Sequence, residues 1–173
     1  PGFKKNQGWH GAISLPRELS IDSKGRLIQK PVTELEVLRG GLRNYSNINI
    51  GKNSKRIDLN STEFEMLIKI VKKGTEHIGI RLLEETGESF EINISPEIIS
   101  MGKEKMNLDK ALYEKINLVH LFFDNTIIEI FINEGLVCAT KVIYPNKKNL
   151  NFEIFSMSEK TVVESIDLWE LNN

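Results

Sequence analysis

The sequence predicts an all-β chain: a two-sheet antiparallel β-sandwich of jelly-roll or concanavalin-like kind, preceded by a short strand-rich linker. Three observations carry this. Apolar residues alternate with polar ones over many short runs, clusters of Gly, Asn, Asp and Ser separate the runs, and no strand pattern is followed by a long helical one. The 173 residues suffice for one continuous core.

In chain order, Trp9 to Leu15 reads as a short apolar strand closed by Pro16, because glycine flanks it and proline ends it. Leu19 and Ile21 alternate with Glu18 and Ser20, and Asp22-Ser23-Lys24-Gly25 has the chemistry to reverse the chain into Arg26 to Lys30, which makes a hairpin. After Pro31, Thr33 and Glu36 have the spacing of a capping box, Val32 and Val37 that of a hydrophobic staple, and Gly40 ends one short helix. Pro31 to Arg39 is the one candidate boundary between segments.

From Leu42 onward the pattern is strand after strand. Ile48 and Ile50 alternate with Asn47 and Asn49, and Lys52 to Arg56 reads as a loop. Phe64, Met66, Ile68 and Ile70 share one face of a strand, with Glu65 and Lys69 on a mostly wet opposite face. Ile78-Ile80-Leu82 and Phe90-Ile92-Ile94 are joined across Glu85 to Glu88, and Pro96 stops the second run. Met101 to Lys115 is the least legible stretch; Asp109 to Lys115 could form a helical turn, but such excursions inside sandwiches are often only loops.

Leu118 to Asn133 is the clearest hairpin. With Asn125 and Thr126 as its loop, Phe123 faces Ile128, Leu121 faces Ile130 and Val119 faces Ile132, so that side is buried against the other sheet. The opposite side, with His120, Phe122, Asp124, Glu129 and Phe131, reads as a half-exposed surface. Asn133-Glu134-Gly135 reverses into Val137 to Ile143. Phe152 to Ile154 and Val162 to Leu168 follow, with Ser158-Glu159-Lys160 between them.

Composition excludes several classes. With 23 basic and 24 acidic residues the net charge is -1, so no overall field recruits nucleic acid or an anionic membrane. The basic pairs and runs at Lys72-Lys73, Lys103 to Lys105 and Lys147-Lys148 read as solvated loop ends. No apolar run approaches the roughly 20 residues a membrane helix needs. The lone Cys138 cannot form an internal disulfide, which suits a reducing cytosol and gives cytoplasmic localisation as the expectation.

Among side chains with chemical potential, His10, His77 and His120 lack zinc-site spacing and read as structural or surface histidines. Asp124 beside its turn reads as a cap on backbone N–H groups rather than as half of an acid pair with Glu129. Trp9 and Trp169 could stack on sugar rings, but tryptophan beside apolar strand residues is more often core or domain contact. Nucleotide-loop and serine-hydrolase motifs do not occur. No catalytic, cofactor-binding or metal-ligating residue is assigned, and no cofactor is expected.

Two strings near the start, GWHGAISLPREL and GRLIQKPVTELEVLR, resemble the junction region of glycoside hydrolase family 32, the β-fructofuranosidases that include invertases, sucrose-6-phosphate hydrolases and levanases. Asp124 to Gly135, DNTIIEIFINEG, resembles the family's D-R-S-S-V-E-V-F-V-N-D-G run, and Ser165 to Leu171 resembles its closing strand. The matches keep the family's order and cover the chain end to end.

The resemblance implies that residues 1–31 are the end of a propeller domain and its linker and that 32–173 are the C-terminal sandwich. The retaining mechanism needs two carboxyl groups roughly 5 Å apart, which the family carries in N-D-P-N-G and Glu-Cys motifs, with a third carboxylate in Arg-Asp-Pro. None of these strings occurs here: no Asp precedes a proline, Cys138 follows Val137, and the proline near Arg17-Glu18 precedes the arginine. The expectation is a non-catalytic part of an enzyme cleaving terminal fructosyl bonds in sucrose, sucrose 6-phosphate or fructan. Its partner is the catalytic propeller of the same polypeptide; the alternatives are a fructan-binding module or an oligomerisation domain.

Overall fold

The computed structural model describes residues 12–51, 54–59, 61–72, 77–84, 87, 89–145, 150–157 and 161–172. Two antiparallel six-stranded sheets face one another. In the first, the strand order is β12 (Val137–Val142), β11 (Ile127–Ile132), β10 (Leu118–Asp124), β5 (Glu63–Lys72), β14 (Thr161–Leu171) and β3 (Arg39–Ile50). In the second it is β4 (Lys55–Asp58), β13 (Leu150–Ser156), β6 (Ile78–Glu84), β7 (Ser89–Ile94), β8 (Ile98–Met101) and β9 (Glu104–Asn107). A separate hairpin, β1 (Arg17–Ile21) with β2 (Leu27–Pro31), precedes them, and a 3-10 helix spans Thr33–Leu38.

The core follows from alternation. Phe64, Met66, Ile68 and Ile70 of β5 meet Val119, Leu121 and Phe123 of β10 and Ile128, Ile130 and Ile132 of β11 along the inner face of the first sheet. Opposite them stand Ile78, Ile80 and Leu82, Phe90, Ile92 and Ile94, and Phe152 and Ile154 of the second. The register expected for the β10–β11 hairpin is the one observed: Val119 with Ile132, Leu121 with Ile130, Phe123 with Ile128. Each such side chain contributes about 1.5–3 kcal/mol relative to exposure.

The first hairpin also forms as expected. Asp22 closes its turn, its carboxylate accepting from the N–H groups of Lys24 at 2.8 Å and Arg26 at 2.9 Å. Elsewhere several expectations are corrected. Residues 12–16 are irregular rather than strand, and 9–11 lie outside the described residues, as do the predicted turns at 85–86, 88 and 158–160. The helix starts at Thr33 behind Val32, which makes no side-chain cap; Val37 is 84% exposed, so there is no staple. Gly40 lies inside β3. The stretch read as a loop contributes Lys55 and Arg56 to β4, whose pairing with β13 overrides its polar composition. The illegible stretch from Met101 holds the end of β8, all of β9 and one helical turn, α1 (Lys110–Tyr113).

One irregularity is shared by two strands. Tyr45 and Ile48 both pack against the core, as do their cross-strand partners Ile166 and Val163, so both strands change phase together. Asn47, at φ 54, sits at that step in β3. A matched shift lets these long strands twist without losing their inward apolar rows.

Candidate functional site: a buried clasp on the outer face of the first sheet

The outer face of the first sheet is where the structure departs most from alternation. The register lays Trp169, Glu65, Phe122, Glu129 and Thr140 side by side across β14, β5, β10, β11 and β12. The next row holds Asp167, Leu67, His120, Phe131 and Cys138. The middle of this face is closed to water rather than half-exposed or wet, with Phe131 0%, Glu65 1% and Glu129 2% accessible, while Asp124 and Lys69 at its margins are exposed as expected. The cover comes from the chain's own start.

Arg17, the first residue of β1, forms an ion pair with Glu129. The same guanidinium donates to Thr140 Oγ1 at 2.8 Å and Gln29 Oε1 at 3.1 Å, and lies 5.1 Å from the centre of the Phe131 ring. Thr140 donates to Glu129 at 2.9 Å, and the Leu15 N–H donates to its other oxygen at 2.6 Å. The hairpin's other strand is seated by backbone: Gln29 N–H donates to the Gly135 carbonyl at 3.0 Å, and the Cys138 thiol donates to the Gln29 carbonyl at 3.3 Å. Burial pushes the Cys138 thiol above its usual pKa. Gly135 has φ +88, and a Cβ there would collide with the Gln29 carbonyl. Asn133 holds the next turn, its side chain accepting from Asn117 N–H at 3.0 Å and donating to the Lys115 carbonyl at 3.0 Å.

A second buried carboxylate sits two strands away. Arg39 grips Glu65 in a fork, Nε at 2.8 Å and Nη2 at 2.6 Å, while His120 Nε2 lies 2.7 Å from the same carboxylate. Burial works to raise the Glu65 pKa, but the Arg39 and His120 contacts outweigh it and hold the carboxyl below its ordinary range. The Arg39 guanidinium also lies 4.3 Å from the centre of the Trp169 ring, so that ring carries an internal cation where a stacked sugar was considered. Trp9 and His10 lie outside the described residues. His77 accepts a hydrogen bond from Met157 N–H at 3.3 Å and meets Phe155 edge-on. No metal-binding cluster forms among the described residues.

Beside the clasp, a cavity of about 210 Å³ is lined in part by Leu15, Phe122, Glu63, Asp124 and Glu129. Asp124 and Glu63 are cross-strand neighbours joined through the Asn125 side-chain amide. Asp124 thus takes a side-chain donor rather than the expected backbone N–H; its main-chain oxygen accepts from Thr126 N–H. It is exposed to water, unlike the apolar setting that fits a carboxylic acid for proton donation. Glu65 and Glu129, two strand spacings apart at about 10 Å, are wider than a retaining pair, and each faces its own arginine.

Fold and clasp together define a β-sandwich module with an integral N-terminal hairpin. The family described as "Glycosyl hydrolases family 32 C terminal" matches residues 34–170, and the chain belongs to that family. It is 27% identical to a sucrose-6-phosphate hydrolase from Escherichia coli, over 99% of this chain and 37% of that protein. It is 26% identical to a levanase from Bacillus subtilis (strain 168), over 94% of this chain and 28% of the relative. The chain therefore spans about a third of the length of these relatives. The fold is shared with a Bombyx mori family 32 beta-fructofuranosidase at TM-score 0.72 and 18% identity, covering 96% of this chain and 34% of that one.

Proposed function

We propose that this chain is the non-catalytic C-terminal part of a retaining β-fructofuranosidase acting on sucrose, sucrose 6-phosphate or fructan, and that it packs against and stabilises the catalytic propeller of the same polypeptide. The observation that carries this is the placement of apolar surface. Among the described residues, six of the nine exposed large hydrophobic side chains lie in the first part of the chain: Ile13, Leu19, Ile21, Leu27, Val37 and Leu42. Leu19 and Ile21 share the Arg17 side of β1 by alternation, and Leu27 pairs with Ile21. The hairpin is thus clasped at its base and carries bare apolar groups toward its tip, the kind of patch that marks an interface.

The expected results are specific. The isolated chain releases no fructose from sucrose, sucrose 6-phosphate or a fructan at any pH; turnover by purified material ends the reading. In the complete enzyme, Leu19→Lys with Ile21→Lys lowers the melting temperature by several degrees, on the order of 2–4 °C per kcal/mol lost, while the isolated chain melts unchanged. Titration calorimetry with sucrose and a fructan tests a carbohydrate contact, and sedimentation of the complete enzyme tests a second subunit. A cytoplasmic setting belongs to the same proposal, supported by the single half-buried thiol of Cys138.

A further inference from the structure

Two of the stretches that carry the family resemblance are 112 residues apart between Arg17 and Glu129, yet an ion pair joins them. Glu129, Phe131 and Gly135 of the second stretch meet the first, whereas Asp124, Asn125 and Asn133 hold neighbouring strands and turns. Glu129 accepts from Arg17 and Leu15, Phe131 lies beneath the guanidinium, and Gly135 leaves room for the Gln29 backbone. By contrast, the outer part of the hairpin touches little: Leu19 is 64% and Ile21 66% exposed, and the Asp22–Arg26 turn is closed by its own ion pair at 2.7 Å.

The geometry points to a latch: the outer face of β11, β12 and the turn between them is a docking site for the chain's own first hairpin, held shut by Arg17 in Glu129, so that the hairpin docks and releases as one unit independent of the core. Arg17 and Glu129 are positioning residues. They aim the hairpin's bare apolar end in one direction before any neighbouring domain arrives. That orienting role rests on the function proposed above, whereas the latch itself does not, and it can be tested in this chain alone.

Three features set this contact apart from an ordinary surface bridge. Glu129 is nearly inaccessible, so an unpaired charge there has no water to turn to. The carboxylate takes donors from Arg17, the Leu15 backbone and Thr140, which fixes the β1 end of the hairpin's base, while the Gln29 N–H on the Gly135 carbonyl and the Lys30–Glu134 ion pair fix the β2 end. The buried Arg17 Nε lacks a partner, so Nη2 carries the Arg17 contact with Glu129, the one buried ion pair of the latch, beside the exposed Lys30–Glu134 pair and the Gln29 backbone bonds.

Amide hydrogen exchange on the 173-residue chain is the test. Unaltered protein should protect residues 18–21 and 27–30. In Glu129→Gln and in Arg17→Met this protection should fall roughly 10-fold or more, while the amides of β5 and β10 keep theirs, as expected when a local unit opens by itself. The double variant Arg17→Met/Glu129→Gln, which leaves no buried charge, should restore global stability toward the unaltered level and still leave the hairpin unprotected. Three results each overturn the latch: free-peptide exchange of the hairpin in the unaltered chain, hairpin protection unchanged in all the variants, or a parallel loss in hairpin and core, including a double variant that does not fold.

Discussion

Gly135 is held by two constraints at once. Its φ of +88 belongs to the left-handed region, and the space where a side chain would start is filled by the Gln29 carbonyl. Gly135→Ala should therefore lower stability by about 2 kcal/mol or more, measured by urea unfolding, with the hairpin losing protection first. Glu65 gives a pH prediction. Its folded-state pKa is depressed by Arg39 and His120 despite burial, so its contribution is complete above the ordinary carboxylate range and is lost as pH falls through the folded value. The melting temperature of the unaltered chain should consequently drop more steeply below about pH 4.5 than that of Glu65→Gln; equal slopes would remove Glu65 as the cause. Both residues were visible in the sequence, Gly135 as a turn glycine and Glu65 as a wet-face acid. Neither its collision partner nor its ion partner could be read, because each lies far away along the chain.

At the scale of elements, the second sheet offers a packing test. Phe155 of β13 lies over Gly79 of β6, with Arg81 stacked 4.5 Å from the ring centre and held by Glu91 at 2.6 Å and Glu153 at 2.7 Å. A Cβ at Gly79 would enter the Phe155 ring. Gly79→Ala should cost roughly 1–3 kcal/mol through this overpacking, and Gly79→Ala/Phe155→Ala should recover part of it; additivity in that cycle would show that the two do not touch. The β10–β11 hairpin was legible to the residue, since a two-residue loop and period-2 alternation leave only one register with every inward pair apolar. The helix cap was misread because the capping box is a local pattern, and Val32 enters the turn extended without a side-chain bond. The β8–β9 hairpin was not legible: β9 is exposed along its whole length and shows no apolar period to find.

At the scale of the whole molecule, an inner core shared by two sheets gives the sandwich its own stability, and the exposed apolar groups at one end give it a direction. Those groups underlie the proposal that the chain packs against a neighbouring domain, and the corresponding measurement is an assay for fructose release by the isolated chain, with none expected. The all-β class, most strands of the core and the family are written in the sequence, since these follow from alternation, turn chemistry and motifs that are local in the chain, while β4 and β8 supply core residues outside the strands expected from it. The burial of Glu129 and Glu65 and the clasping of the first hairpin onto the first sheet come from the folded arrangement alone. Alternation tells which residues share a face. Whether that face meets water depends on segments distant in the chain, more than 100 residues away for Glu129 and 26 for Glu65, and pairing with arginine is what makes each buried carboxylate tolerable.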